Sequence, residues 1–285
     1  VGVEFGILSQ NTNILARLDN LGPFENGAIG LSYSFRDYVS AGLTYTPPVE
    51  EYTGAIFAYQ EWASNNISIN AGMRVDQMLV KPRKLKKSQR VSLRPERTFS
   101  GLSSALSASY QSVEELTLGL TIARTFRPPS IEELYSDGPH LATHSYEVGN
   151  DSLDNEIGTG LEGFLDYHHD RGNIHLSLYR NVIEGYIFPS NTGLSSLRRA
   201  DLLLYQMTGE RVLMYGAEAA VDWSFPRNLK FDATVSHVRG HLTEHSNEPL
   251  PLIPPIQARV NLGFNYFRSA NTTIGVRMAT KQTQT

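Results

Sequence analysis

The 285-residue sequence contains no cysteine. That removes disulfides and thiolate metal sites, and it selects no compartment. No stretch approaches the roughly 18 consecutive apolar residues a transmembrane helix needs. Only helices and closed barrels satisfy every backbone polar group in lipid, so a membrane-spanning reading of this chain has to be a barrel. An excess of one charge is missing too. The 25 Lys and Arg and 29 Asp and Glu are mixed along the chain, for a net charge of −4, so nucleic-acid binding has no electrostatic support. No charged-then-apolar signal segment opens the chain. Val1 is not a natural start, so the sequence reads as a fragment. The Gly-x-Ser-x-Gly, Walker and His-Glu-x-x-His patterns are absent, and no enzyme is expected. Ser236-His237 and His144-Ser145 are neighbours in sequence, which does not make a triad.

What is present is alternation with period two. Leu213, Tyr215, Ala217, Ala219, Val221, Trp223 and Phe225 are apolar, and Met214, Gly216, Glu218, Ala220, Asp222 and Ser224 stand between them. Successive strand side chains point to opposite faces, so such a segment has one oily face and one small or polar face. After Pro226-Arg227-Asn228 the pattern resumes at Leu229, Phe231, Ala233 and Val235. It recurs at Ile256 to Tyr266, Ile67 to Val75, Leu116 to Ile122 and Ile157 to Tyr167. The pattern predicts thirteen strands, near 1–10, 27–35, 38–46, 53–62, 66–79, 98–111, 115–125, 156–168, 172–188, 210–225, 228–240, 256–267 and 271–281.

The connections alternate as well. Short turns are expected at Arg36-Asp37, 63–65, 112–114, 169–172, 226–228 and 268–271. Longer loops are expected at 11–26, 47–52, 80–97, 126–155, 189–209 and 241–255. Short turns on one rim and long loops on the other is the plan of an outer-membrane barrel, with the long loops extracellular. A soluble β-sandwich also alternates, but its strands average about five to six residues. Several segments here are long enough to cross a bilayer at a tilt. Aromatic residues such as Tyr110, Tyr167, Trp223, Phe225 and Tyr266 fall near predicted strand ends, where interface girdles belong. The expected fold class is all-β: an antiparallel transmembrane β-barrel segment.

Residues 123–156 carry Arg124, Phe126-Arg127, Pro129-Ser130, Glu133-Leu134-Tyr135, Gly149-Asn150, Leu153 and Glu156, and a later strand carries Tyr215-Gly216-Ala217-Glu218. These motifs resemble the TonB-dependent outer-membrane receptor family, over nearly the whole chain. Pro128, Asp151 and Asn155 depart from its usual pattern without removing a charge. Within that family, Gly138-Pro139-His140-Leu141-Ala142-Thr143-His144 with Glu147, and Leu250-Pro251-Leu252-Ile253-Pro254-Pro255, look like the zinc-receptor branch, which often has arginine at Leu252. The resemblance implies a 22-strand barrel closed by an N-terminal plug. Residues 1–285 would then be part of the barrel domain, with the plug and C-terminal strands outside them. It also implies partners: the TonB energy-coupling complex, acting through the plug, and a metal or metal-chelate ligand.

The candidate metal ligands are His140, His144, Glu147, His241 and His245, on two predicted extracellular loops. Imidazole and carboxylate suit Zn²⁺. Solvated loop histidines are the plainer reading, and both stand open here. His237, His241 and His245 recur at spacing four, which aligns side chains only on a helix. Arg124, Arg127, Glu133 and Tyr135 mark a second candidate group. They either hold the 126–155 segment over the pore or form a rim of solvated charge. The basic run Lys81 to Arg94 could meet anionic lipopolysaccharide, beside outer-membrane lipid; a solvated loop is the alternative. The expected function is active uptake of a scarce nutrient, with zinc the preferred transported ligand and no resident cofactor. A haem or iron-siderophore receptor and a passive porin-like channel are the alternatives.

Overall fold

A computed structural model describes residues 4–17, 24–41, 46–83, 94–140, 142–244, 248–267 and 270–282. Its strands are β1 (Glu4–Arg17), β2 (Phe24–Ala41), β3 (Val49–Ser64), β4 (Ile67–Pro82), β5 (Arg97–Val113) and β6 (Leu116–Arg127). A short helix follows, α1 (Ile131–Tyr135), then the small strands β7 (Asp137–His140) and β8 (Ser145–Val148). The long strands resume as β9 (Glu156–His169), β10 (Gly172–Ser195), β11 (Leu203–Phe225), β12 (Leu229–Leu242), β13 (Gln257–Phe267) and β14 (Ala270–Ala279). The twelve long strands pair in chain order in one antiparallel sheet. β7 and β8 stand off this path, and β8 joins it by pairing parallel to the start of β11.

The register turns the sequence alternation into two faces. Ile14, Leu31, Ile56, Val75 and Leu102 stand side by side across five strands, and all five are exposed. One residue along, Ser32, Ala55, Asp76 and Gly101 form the matching row on the other face. Farther on, Leu118, Leu165, Leu176, Ala219, Val235, Ala258 and Met278 continue the apolar face. A fully exposed Leu or Ile forfeits roughly 1.5–3 kcal/mol relative to burial, so a face built of them needs an apolar cover. A bilayer on that side supplies it, with water on the other.

The short turns fall on one rim. The β3–β4 turn has Asn65 at φ 49, and the β11–β12 turn has Arg227 at φ 65 and Asn228 at φ 59. Asparagine tolerates this left-handed backbone better than most residues. Trp223 lies near this rim and stacks on His169, with ring centres 5.5 Å apart.

Buried apolar residues gather at the opposite rim, on the polar face. There Tyr38, Val49, Val80 and Phe99 meet Ile131, Leu134, Tyr135, Leu153, Ile187 and Met207. A smaller cluster joins Val212 and Leu242 to Leu250, so the segment between β12 and β13 folds over the same face.

Three expectations need correction. Arg36-Asp37 is not a turn: β2 runs through both residues to Ala41, so the predicted strand 27–35 and the start of the predicted strand 38–46 are one strand, with 42–45 outside the described residues. Polarity suggested a break, but the two side chains alternate faces and both are paired, Arg36 with Glu51 and Asp37 with Arg83. The second correction follows from the first. Residues 11–17 continue β1, opposite 28–34, so β1 ends and β2 begins at the short-turn rim; residues 18–23 of the predicted loop 11–26 lie outside the described residues. Third, β10 and β11 extend well past the predicted limits of 188 and 210, which shrinks the predicted loop 189–209 to 196–202.

Candidate functional site at the long-loop rim

The segment between β6 and β9 is folded, and local chemistry explains how it starts. Pro128-Pro129 ends the strand, because proline offers no ladder N–H. Ser130 then caps α1. Its hydroxyl accepts from Glu133 N at 3.2 Å, while Glu133 Oε2 accepts from Ser130 N at 2.7 Å. This reciprocal capping box satisfies two otherwise orphaned donors. Two acids in the first turn also suit the helix dipole. One turn of helix is marginal alone. Burial of Ile131, Leu134 and Tyr135 against the strand ends holds it, at roughly 1.5–3 kcal/mol per side chain.

Arg127, the last residue of β6, ties this helix to the barrel wall. Its Nε lies 2.6 Å from Glu156 Oε2, and its Nη1 lies 2.9 Å from Glu133 Oε2. Glu156 is buried and also accepts from Ile187 N at 2.7 Å. One guanidinium therefore joins α1, β6 and β9, and Glu156 extends the network to β10.

The return of the segment is held by arginines at the start of β5 and just before it. Arg97 donates to the carbonyls of Asp151 and Leu153, and Arg94 pairs with Asp151 at 3.5 Å. Tyr135 Oη donates to Pro95 O at 2.9 Å, and burial pushes its hydroxyl up to about 12. Gly149 passes close behind α1. A Cβ there would lie 2.6 Å from the Leu134 carbonyl carbon and the Tyr135 nitrogen.

Between these anchors stands the β7–β8 hairpin. Glu147 is buried and accepts from Ser145 Oγ at 2.9 Å and from Thr143 Oγ1 at 3.2 Å. His140 Nδ1 lies 2.9 Å from the same carboxylate oxygen, Glu147 Oε1, with the ring about half exposed. His144 occupies the turn at φ 53. At the hairpin's other end, Tyr146 Oη donates to Asp137 Oδ1 at 2.9 Å, and Arg198 pairs with Asp137 at 2.8 Å. Burial first, and then this bond to Asp137, raise the Tyr146 hydroxyl above its ordinary value. Beside it, the hydrogen bond from Arg199 holds the Asp201 carboxyl down to about 2.

The expected metal ligands are thus partly separated. His140 and Glu147 meet. Glu147 pairs with Tyr205 of β11, whereas His241 pairs with Leu213, eight residues down that strand. At about 3.3 Å per residue this is roughly 26 Å, too far to share an ion. His241 stacks on Tyr215, with ring centres 6.2 Å apart. His245 lies outside the described residues, as does most of the basic run between Arg83 and Arg94. Among the described residues no three His, Asp or Glu side chains stand together as a metal site.

The rim group is also only partly gathered. Arg127, Glu133 and Tyr135 act together, but Arg124 lies on the apolar face, where it donates to the Leu102 carbonyl. Sequence reasoning missed Arg97. Its partners lie 54 and 56 residues away, and no local pattern marks such a bond.

Below the rim, the polar face holds a recess of about 330 Å³ lined by Thr121, Glu162, Tyr179, Asn181 and Glu218, among others. Neither carboxylate has a cationic partner among the described residues. The recess and the rim together offer oxygen and imidazole donors along a water-facing wall.

Comparison with known proteins agrees with this plan. Residues 4–285 match the family model described as TonB dependent receptor-like, beta-barrel. The solved copper transporter OprC is 19% identical, with a TM-score of 0.78; the match covers 92% of this chain and 41% of that one. The Serratia marcescens hemophore receptor HasR, solved with its hemophore HasA and heme, is 16% identical, with a TM-score of 0.72, over 97% of this chain and 52% of that one. The FrpB iron transporter from Neisseria meningitidis is 13% identical, with a TM-score of 0.69, over 95% and 42%. The chain spans about half or less of each of these proteins, and at such identities the likeness is one of fold.

Proposed function

The chain belongs to the TonB-dependent receptor-like β-barrel family, whose members lie in the bacterial outer membrane and transport rather than catalyse; from that premise, we propose that it is the central part of a receptor for active uptake of a scarce metal, zinc first. The remainder of such a receptor supplies further strands and a plug. The plug is the contact to the TonB complex, whose energy displaces it once the extracellular loops have captured ligand.

The observation that carries the reading is the His140–Glu147 pair, a half-exposed imidazole on a buried carboxylate, in a hairpin braced on β11. Imidazole and carboxylate suit Zn²⁺, which is most often four-coordinate. Two ligands from one hairpin make a weak capture site that another loop or a chelate completes. Such a site can release its ion inward. The uncompensated carboxylates Glu162 and Glu218 give a cation a next stop on the polar face.

Zinc titration of the full-length receptor tests this. His140→Ala with His144→Ala is expected to weaken zinc binding at least tenfold, about 1.4 kcal/mol. Unchanged affinity sinks the zinc reading. Copper, haem and a ferric siderophore belong in the same titration, because matched structures are described as a copper transporter, a haem-bound hemophore receptor and an iron transporter. Tighter binding of haem or siderophore than of zinc would replace the metal-ion reading with the chelate one.

A further inference from the structure

On the polar face several charges are paired, Arg74 with Asp76 at 2.8 Å and Arg127 with Glu133 and Glu156, and His175 Nδ1 lies 2.6 Å from Asp166, while Glu162 and Glu218 have no cationic partner among the described residues. On the apolar face the register places Arg124, Arg180 and Arg239. Arg124 stands opposite Thr159 in the row of Met73 and Ser104. Arg180 stands between Leu161 and Tyr215, and Arg239 on the far side of Tyr215. None of the three has a carboxylate partner among the described residues. Arg124 bonds to a backbone carbonyl and Arg239 Nε to His237 Nε2 at 3.2 Å. The nearby acid on this face, Glu184, is taken by Arg211 at 2.8 Å.

The three lie within about two residues of one level. Arg124 and Arg180 stand eight residues above Leu116 and Gly172, the first residues of β6 and β10, and Arg239 stands ten above Leu229, the first of β12. In strands tilted about 40°, eight residues rise roughly 20 Å, near the top of an apolar band about 25 Å tall. Arginine stems reach farther by snorkelling. The three belong to β6, β10 and β12, each separated from the next by one strand, so they are spaced about 10 Å apart.

We propose that Arg124, Arg180 and Arg239 form a binding site for a phosphorylated glycolipid of the outer leaflet. A cation on a lipid-facing wall is costly unless an anion meets it. At the upper edge of the band, the anions available from the side are lipid headgroup phosphates. Guanidinium matches phosphate in a bidentate way. Three guanidiniums in a row suit a headgroup carrying more than one anionic group. The site rests on the outer-membrane placement of this face and is independent of which substrate is carried.

Native mass spectrometry of the full-length receptor, titrated with bis-phosphorylated lipid A in detergent, tests it. The wild type is expected to retain the lipid, and the variant Arg124→Gln, Arg180→Gln, Arg239→Gln to retain at least tenfold less. Heat-dependent gel mobility reports whether each variant is a folded barrel. If the triple variant does not fold, Arg180→Gln alone is expected to retain about threefold less, and Arg180→Lys to stay within twofold of wild type. Equal retention by wild type and a folded Gln variant overturns the site. So does equal binding of lipid A stripped of its phosphates, or displacement by millimolar inorganic phosphate. Zinc binding measured on the same samples separates this site from the substrate reading.

Discussion

Arg127 and Glu156 face one another across the last rung of the β6–β9 ladder, with Arg127 Nε 2.6 Å from Glu156 Oε2. The same guanidinium holds Glu133 of α1. Opening the folded segment therefore means breaking a charge-assisted network, not freeing a loose loop. Glu156→Gln keeps the size and removes the charge. It is expected to cost about 1–2 kcal/mol, the lower part of the range for bonds to charged groups, because the guanidinium is partly open to water. Amide exchange in 131–136 should speed up roughly tenfold. Unchanged exchange there would remove Arg127–Glu156 from the latch.

Ser130→Ala removes the cap of α1 while leaving its buried face intact. A lost N-cap costs about 1 kcal/mol. In a five-residue helix the effect should appear as fraying of the first turn. Protease sensitivity near Glu132 should rise, with the barrel's heat-dependent gel mobility unchanged. Ser130→Asp should restore protection, since aspartate caps equally well.

Gly149→Ala places a methyl group against backbone, 2.6 Å from atoms of Leu134 and Tyr135. Backbone cannot swing aside as a side chain would. The expected cost is about 1–3 kcal/mol, the usual scale for overpacking. The bonds from Gly149 N to Ser136 O and from Asn150 N to Glu133 O, each 2.8 Å, should weaken together. Hydrogen exchange at these two amides is the measurement, and protection equal to wild type would contradict the contact.

Tyr135 supplies a pH test. Burial raises its hydroxyl from 10.0 to about 12 in the folded segment. The released segment would ionise near 10, so it loses its proton first as pH rises. The stabilisation from keeping Tyr135 neutral is complete below pH 10 and is lost progressively from there to about 12. Tyrosinate absorbance should show a late-titrating component that is smaller by one tyrosine in Tyr135→Phe. That variant should also lose the bond to Pro95 O without affecting the strands.

Much of the fold was legible in local pattern. Leu213 to Phe225 alternate, and their register with β10 and β12 places that alternation on two faces. The same rule misread Arg36-Asp37, because a charged pair above the bilayer needs no turn when each side chain has a partner on a neighbouring strand. The candidate site was legible in part. Ser130 and Glu133 carry a capping signature three residues apart. The role of Arg97 does not show, because its partners are more than fifty residues away.

By itself the sequence determined that this chain is a wall with one apolar and one polar face, because side-chain direction in a strand depends only on position parity. It also determined the short turns between β3 and β4, β5 and β6, β9 and β10, and β11 and β12. Only the tertiary structure decided which charges meet. Strand register set Arg127 against Glu156, turned Arg124 out to the lipid side, and parted His241 from His140 and Glu147 by roughly 26 Å along β11. Register is a relation between strands, and no single strand's sequence contains it.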